Sequence, residues 1–378
     1  MILRVEDFAL LGDVCGIEER VSILYQFNDP DFCLNLMPTI GSFGYSNPKS
    51  VLDIGALRLE PNTPYINLMP TIGSFGYRAK GDRIRSIIVC CRNERVVTKT
   101  LKIRDKSFDW GSRTYIMGVL NVTPDSFSDG GRFATVNAAI DRAVQMVNSG
   151  VDIIDIGGES TKPGAIPVDA AIELERVIPV IEGIRQLATE QIPISIDTTK
   201  SAVARAAIAA GADIINDVSG GQYDSQMLAT VAQLGVPYIL MHLRGTPTTM
   251  TQMTDYDDVV AEILGYFETQ IDRAVFCGID RSQIIIDPGI GFAKTYQQSI
   301  ELIRHLDRFQ ILDLPLLVGV SRKSFIGKIL DQPDPNQRLW GTAAACCASI
   351  AKGADILRVH DVAEMVDVSR VADVMFRT

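Results

Sequence analysis

The sequence is poor in histidine and has fewer cationic than acidic residues. Its three histidines, His242, His305 and His360, stand far apart, and neither an HExxH helix nor a two-histidine ligand spacing occurs. That argues against a zinc site and leaves magnesium, held by oxygen ligands, as the metal compatible with the chain. Seven cysteines, Cys15, Cys33, Cys90, Cys91, Cys277, Cys346 and Cys347, form no CxxC pair and sit mostly in apolar segments, so they are expected to be reduced core residues. No apolar run approaches the ~20 residues of a membrane span, and the opening MILRVEDFAL lacks a basic segment followed by a signal-type apolar one. A cytoplasmic chain with no membrane partner is expected. Basic residues are outnumbered, 36 Lys and Arg against 46 Asp and Glu for a net charge of −10, which excludes the broad cationic footprint of a nucleic-acid binder. An anionic ligand would need a local cationic pocket. The absence of GxSxG, GxxxxGK[ST] and any close Cys/His pair removes several hydrolase and nucleotide-triphosphatase chemistries.

What is present is enough to bury a large core: 378 residues, 47% of them hydrophobic. From Tyr115 onward, short apolar runs alternate with longer segments of helical period. The strand candidates are 115–120, 151–157, 194–196, 213–217, 237–242, 284–287, 316–320 and 356–359. Between them lie helix candidates such as VNAAIDRAVQMVNSG, DAAIELERVIPVIEGIRQL, KSAVARAAIAAG and DVVAEILGYFETQIDRAVFCG, several closed by glycine, with a last helix from about Val362. Eight such units in a segment near the ~250 residues typical of the fold predict an α/β chain organised as a (β/α)8 TIM barrel. An open doubly wound sheet is the alternative, although NVTPDSFSDGG after the first strand is not GxGxxG and DPGIGFAK lacks the third glycine.

Residues 1–112 read as a separate small region, α+β or β-rich, and 113–378 as the barrel domain. The N-terminal region contains NLMPTIGSFGY twice, at Asn35–Tyr45 and Asn67–Tyr77, 32 residues apart. Two copies are too few for a solenoid, which needs at least ~3 repeats to bury a continuous core, so this is a local duplication. The basic stretch 83–107 alternates in a β-like way and leads into the barrel.

In a TIM barrel the active site lies at the C-terminal strand ends, and polar clusters fall there. The first strand is followed by Asn121, Thr123, Asp125, Ser126, Ser128 and Asp129 with two glycines, and the second by GGESTKPGA with Thr161 and Lys162, suited to cradling an anion. Strands three, four and six end in Asp197, in Asn216 with Asp217, and in Asp287. Singly, each is more often an N-cap or turn residue; three at matching strand ends suit the donor edge of a nitrogen heterocycle. SRKSFIG and RVHD add Arg322, Lys323, Arg358 and His360 as the missing basic pocket, a salt-bridged barrel rim being the plainer alternative.

NVTPDSFSDGG, GGESTKPG, SIDT, INDVSGG, MHLRGTP, DPGIGFAK, GVSRKSFIG and LRVHDV, in this order from about 115 to 378, closely resemble dihydropteroate synthase. The resemblance implies condensation of 4-aminobenzoate with a dihydropterin methyl diphosphate, giving dihydropteroate and pyrophosphate in folate biosynthesis, with Mg2+ as cofactor and a homodimer as the assembly. It implies that Asp197, Asn216, Asp287 and Lys323 hold the pterin ring, that Met241 and Phe292 line its slot, and that Arg358 stacks on it. It implies further that Thr161, Arg358 and His360 meet the diphosphate, Asn121 the magnesium, and Ser324 the aminobenzoate carboxylate. Asp125 or Asp129, on the first loop, is expected to stabilise a cationic methylene carbon. Lys162 stands where the family usually has arginine in GESTRPG, which exchanges a bidentate contact for a point charge. A pterin-binding methyltransferase and a paralogue that binds pterin without catalysis are the rival readings.

Overall fold

The computed structural model describes residues 100–123, 131–187 and 191–377, and within 1–99 only short strands. The chain divides into two compact units, Met1–Val97 and Thr98–Thr378. In the first, Ile2–Arg4 pairs with Leu24–Gln26, Asp53–Ile54 with Leu57–Arg58, and Ser74–Arg78 with Ile84–Ile88, all antiparallel. Ser74–Arg78 takes in the end of the second NLMPTIGSFGY copy.

The second unit is a barrel of eight parallel strands: β1 Tyr115–Asn121, β2 Ile153–Gly157, β3 Ile194–Asp197, β4 Ile214–Asp217, β5 Tyr238–Met241, β6 Ile284–Asp287, β7 Leu317–Val318 and β8 Ile356–Val359. They are ordered as in the chain, β1 lies beside β8, and a parallel bridge between Ile286 and Leu316 joins β6 to β7 and closes the ring. Helices alternate with them: α1 Gly131–Asn148, α2 Ala170–Arg185, α3 Ser201–Ala209, α4 Met227–Leu234, α5 Val259–Phe276, α6 Tyr296–Arg304, α7 Ser324–Leu330, α8 Leu339–Ala351 and α9 Val362–Phe376. Asp169 and Asp258 start α2 and α5 by accepting from backbone N–H groups two or three residues on. Gly150, Gly211 and Gly278, at φ 89°, 115° and 100°, follow α1, α3 and α5 in the left-handed region, as their positions in the sequence require.

Strand alternation builds two cores. Outward residues such as Ile116, Ile154, Ile196, Ile215, Tyr238 and Leu240 pack under the helices. Inward residues Tyr115, Met117, Ile153, Ile214, Ile239, Ile285, Leu317 and Ile356 fill the lower barrel, where a hairpin, Thr100–Ile103 with Lys106–Asp109, packs Leu101, Ile103 and Phe108 against them. The Phe108 ring lies 4.8 Å from that of Tyr115, and its burial contributes roughly 2–3 kcal/mol. The sequence reading groups this hairpin with residues 1–112, whereas it belongs to the unit that begins at Thr98, because its apolar face has the barrel floor to cover. Apolar below and polar above, the barrel interior is left open to chemistry at the C-terminal strand ends.

Among the described residues no helix is long and apolar enough to cross a membrane. Cys346 is buried, but Cys277 is exposed, a correction to the expectation that the cysteines are core residues; it caps the solvent-facing end of α5.

Candidate active site

Inward alternation along the strands places Asp155 on β2, Asp197 at the end of β3, Asn216 on β4, Met241 and Asp287 at the ends of β5 and β6, and Arg358 on β8. The first five are buried, and the Arg358 side chain keeps 20% of its exposure. Arg358 is the hub: its Nε donates to Asp155 Oδ2 and its Nη2 to Asp197 Oδ2, both at 2.6 Å. Asn216 Nδ2 donates to the same Asp155 oxygen at 3.1 Å. Asp287 accepts from the Gly289 N–H at 2.7 Å. Gly289 has φ +65°, and a Cβ there would lie 2.1 Å from the His242 carbonyl oxygen, so only glycine lets this turn close.

Lys323 projects over the Phe292 ring, 3.8 Å from its centroid. Two non-glycine residues in the left-handed region, Ala293 at φ 48° and Arg322 at φ 59°, stand next to these partners in the chain. Such backbone costs of order 1–3 kcal/mol each and is held only where the surroundings demand it. Phe292 and Met241 share one apolar cluster with Val218, Leu243 and Met250, which forms the non-polar wall of the mouth.

The electrostatics follow from burial. Burial pushes the Asp197 carboxyl up to about 7, against the pull of Arg358 and with nearby Asp155 adding to the rise. Asp287 is also raised by burial, which its Gly289 hydrogen bond and Lys323 oppose. Burial draws the Lys323 ammonium down to about 8, with Asp287 opposing. Burial works against the Arg358 charge as well, but Asp155 and Asp197 more than offset it and raise its pKa.

The sequence-based basic pocket needs two corrections. Arg322 is spent on Asp361, which it contacts through Nε at 3.1 Å and Nη2 at 2.5 Å, so it holds the rim together. His360 accepts no proton at neutral pH, because burial and then Arg358 and Arg322 take it down to about 3; its Nδ1 lies 3.0 Å from Ser321 Oγ. The cations left are Lys323 and Arg358. Asp217, read from the sequence beside Asn216, points outward instead and accepts from Ser219, Gly221 and Tyr238, fixing the turn after β4.

Asn121 ends β1 close to Asp197: a Cβ built on Gly157 would be 3.7 Å from both Asn121 Oδ1 and Asp197 Oδ2. Thr161 and exposed Lys162 lie on the loop after β2, and exposed Ser324 begins α7 beside Lys323. Asp125 and Asp129 lie outside the described residues. Sequence reasoning missed Asp155, an acidic residue inside the apolar run VDIIDIG, where charge without a partner is costly and therefore informative. It also missed Lys200, which binds Glu159 of the GGES loop and, at 2.6 Å, the fully buried Glu173 of α2. That junction ties the loop after β2 to the turn after β3. Among the described residues no group of three or more His, Cys, Asp or Glu could cage a metal.

The family model described as "Pterin binding enzyme" matches residues 117–360. A dihydropteroate synthase of Synechocystis is 56% identical over 277 residues, 73% of this chain and 95% of its own length. One of Bacillus subtilis is 43% identical over 74% of this chain and 94% of its own. Among solved structures, the dihydropteroate synthase of Xanthomonas albilineans with 4-aminobenzoic acid superimposes with a TM-score of 0.68 at 43% identity, covering 74% of this chain and 98% of that one. The Clostridium difficile enzyme in the presence of pteroic acid gives 0.67 at 45% identity over 72% and 100%. With this barrel and this strand-end site, the chain belongs to the pterin-binding enzyme family.

Proposed function

We propose that the barrel mouth condenses a dihydropterin methyl diphosphate with 4-aminobenzoate, releasing pyrophosphate and 7,8-dihydropteroate, as a dihydropteroate synthase does. The observation that carries this reading is the joining of a buried acceptor set, Asp197, Asn216 and Asp287, to two cations, Lys323 and Arg358, at one end of the barrel. Acceptors of that kind take the N–H edge of a pterin, while cations beside them favour a diphosphate substrate over a methyl-transfer one.

The ring enters against Met241 and Phe292 and donates to Asp197 in place of Arg358, which frees one arm of Arg358 to stack on the ring and meet the diphosphate. Lys323, already held over Phe292, donates to the ring. As the methylene C–O bond breaks, its electron pair leaves with pyrophosphate, and positive charge falls on the methylene carbon and the electron-rich ring. Arg358, Thr161 and neutral His360 bind the departing oxygens. The arylamine nitrogen then forms the new C–N bond and loses a proton. Asp125 or Asp129, on the loop after β1, stabilises the cationic carbon, and loop closure keeps water from it.

Asn121 offers a hard oxygen donor suited to Mg2+, whose other oxygens would come from water and diphosphate; when bound, the ion neutralises charge on the leaving group. Ser324 receives the aminobenzoate carboxylate, and Lys162, on the loop after β2, offers it a point charge in place of a bidentate contact. Exposed Ile329, Leu330 and Trp340 on α7 and α8, with Val371 and Val374 on α9, supply apolar surface for a homodimer in the cytoplasm. Mass-spectrometric detection of dihydropteroate from the two substrates and Mg2+ tests the reading; the Asp129→Asn variant should lose turnover more than pterin binding.

A further inference from the structure

Asp155 stands apart from the acceptors at the strand ends. Gly157 is in register with Asp197, and Asp197 with Asn216. Asp155 is one inward position deeper on β2, roughly 6–7 Å along the strand. It is fully buried, and one of its oxygens, Oδ1, has no hydrogen-bond partner. A carboxylate in that setting adds little to stability, since exchange of a buried ion pair for apolar packing is often neutral or favourable. Its other oxygen is shared between Arg358 Nε at 2.6 Å and Asn216 Nδ2 at 3.1 Å.

That sharing decides which way the Asn216 amide faces. A carboxylate oxygen held by a guanidinium only accepts, so the group Asn216 turns toward it must be its NH2. The carbonyl oxygen of the same planar amide then points away from the deeper residue. Without Asp155 the amide has two nearly isosteric orientations, and in one of them it presents donors to the donor edge of a pterin. Arg358 anchors Asp155, and Asp155 anchors Asn216.

Building on the pterin-site reading, we propose that Asp155 is a positioning residue for ring recognition: it locks the Asn216 amide with its carbonyl oxygen toward the barrel mouth while Arg358 exchanges partners at Asp197. It touches no substrate and acts through Asn216.

The test is calorimetric binding of 6-hydroxymethyl-7,8-dihydropterin to the full chain, with the KM for 4-aminobenzoate and the thermal midpoint measured alongside. Wild-type protein is measured first; if it does not bind the probe, the functional reading itself fails. Given wild-type binding, Asp155→Asn should weaken the probe about tenfold, while the aminobenzoate KM stays within about threefold. In an Asn216→Ala background, the same Asp155→Asn change should cost less than about threefold, because the amide it orients is gone. Asp155→Asn binding that equals wild type overturns the proposal. So does a full tenfold loss that persists without the Asn216 amide, or an equal loss for both substrates, which a merely structural role would produce. Should Asp155→Asn not fold, Asp155→Glu serves in its place: a longer side chain displaces the shared oxygen, and probe affinity as good as wild type would equally overturn it.

Discussion

Arg358 Nη2 and Asp197 Oδ2 lie 2.6 Å apart, so the arginine occupies the carboxylate that a pterin ring would need. The guanidinium fork reaches Asp155 and Asp197 at once, which an ammonium cannot do. Arg358→Lys should therefore keep the charge and still lose about a hundredfold in kcat/KM for the pterin substrate. Arg358→Ala should in addition cost about 3–5 kcal/mol of stability by leaving two buried carboxylates unpaired. Steady-state kinetics with denaturant unfolding check both, and a fully active lysine variant would contradict the partner exchange.

The pH profile carries a sign that follows from burial. Asp197 is raised to about 7, so its accepting carboxylate exists above that pH, and Lys323 is lowered to about 8, so its donating ammonium exists below that one. Pterin binding to the free protein should peak between the two and fall on either side. Lys323→Arg should remove the alkaline limb, since arginine stays charged. Titrating the affinity for a pterin without diphosphate excludes ionisation of the leaving group as the cause.

Gly289 has φ +65°, and a Cβ there would meet the His242 carbonyl oxygen at 2.1 Å. Gly289→Ala should destabilise the barrel by about 2–3 kcal/mol and move Asp287, which accepts from the Gly289 N–H. Chemical denaturation and pterin affinity should fall together.

The hairpin that closes the barrel floor gives a boundary test. A chain starting at Thr98 should fold and turn over like the full chain, whereas one starting at Arg113 loses Leu101, Ile103 and Phe108 from the inner core and should be several kcal/mol less stable. Equal stability of the two would contradict the packing.

Much of the barrel and its mouth is legible in the amino-acid sequence alone. Strands buried on both faces read as continuous Ile- and Val-rich runs, so all eight are visible, and β8 and β6 fall on 356–359 and 284–287 as expected. Asp197, Asn216 and Asp287 stand out because each breaks such a run at its C-terminal end. Asp155 sits inside its run and reads as strand, although its period of two with Ile153 already aims it inward. The same alternation sets Asp217 opposite to Asn216, which adjacency in the sequence conceals. Pairings such as Lys200 with Glu173, or Arg322 with Asp361, join distant segments through tertiary packing and leave no local pattern.

The most direct measurement is pyrophosphate release by the full chain given dihydropterin methyl diphosphate and Mg2+, with and without 4-aminobenzoate. The expected result is amine-dependent release that drops by about a hundredfold or more in both Lys323→Ala and Arg358→Ala. Pterin binding with no release, or release indifferent to both substitutions, would contradict synthase chemistry at this barrel mouth.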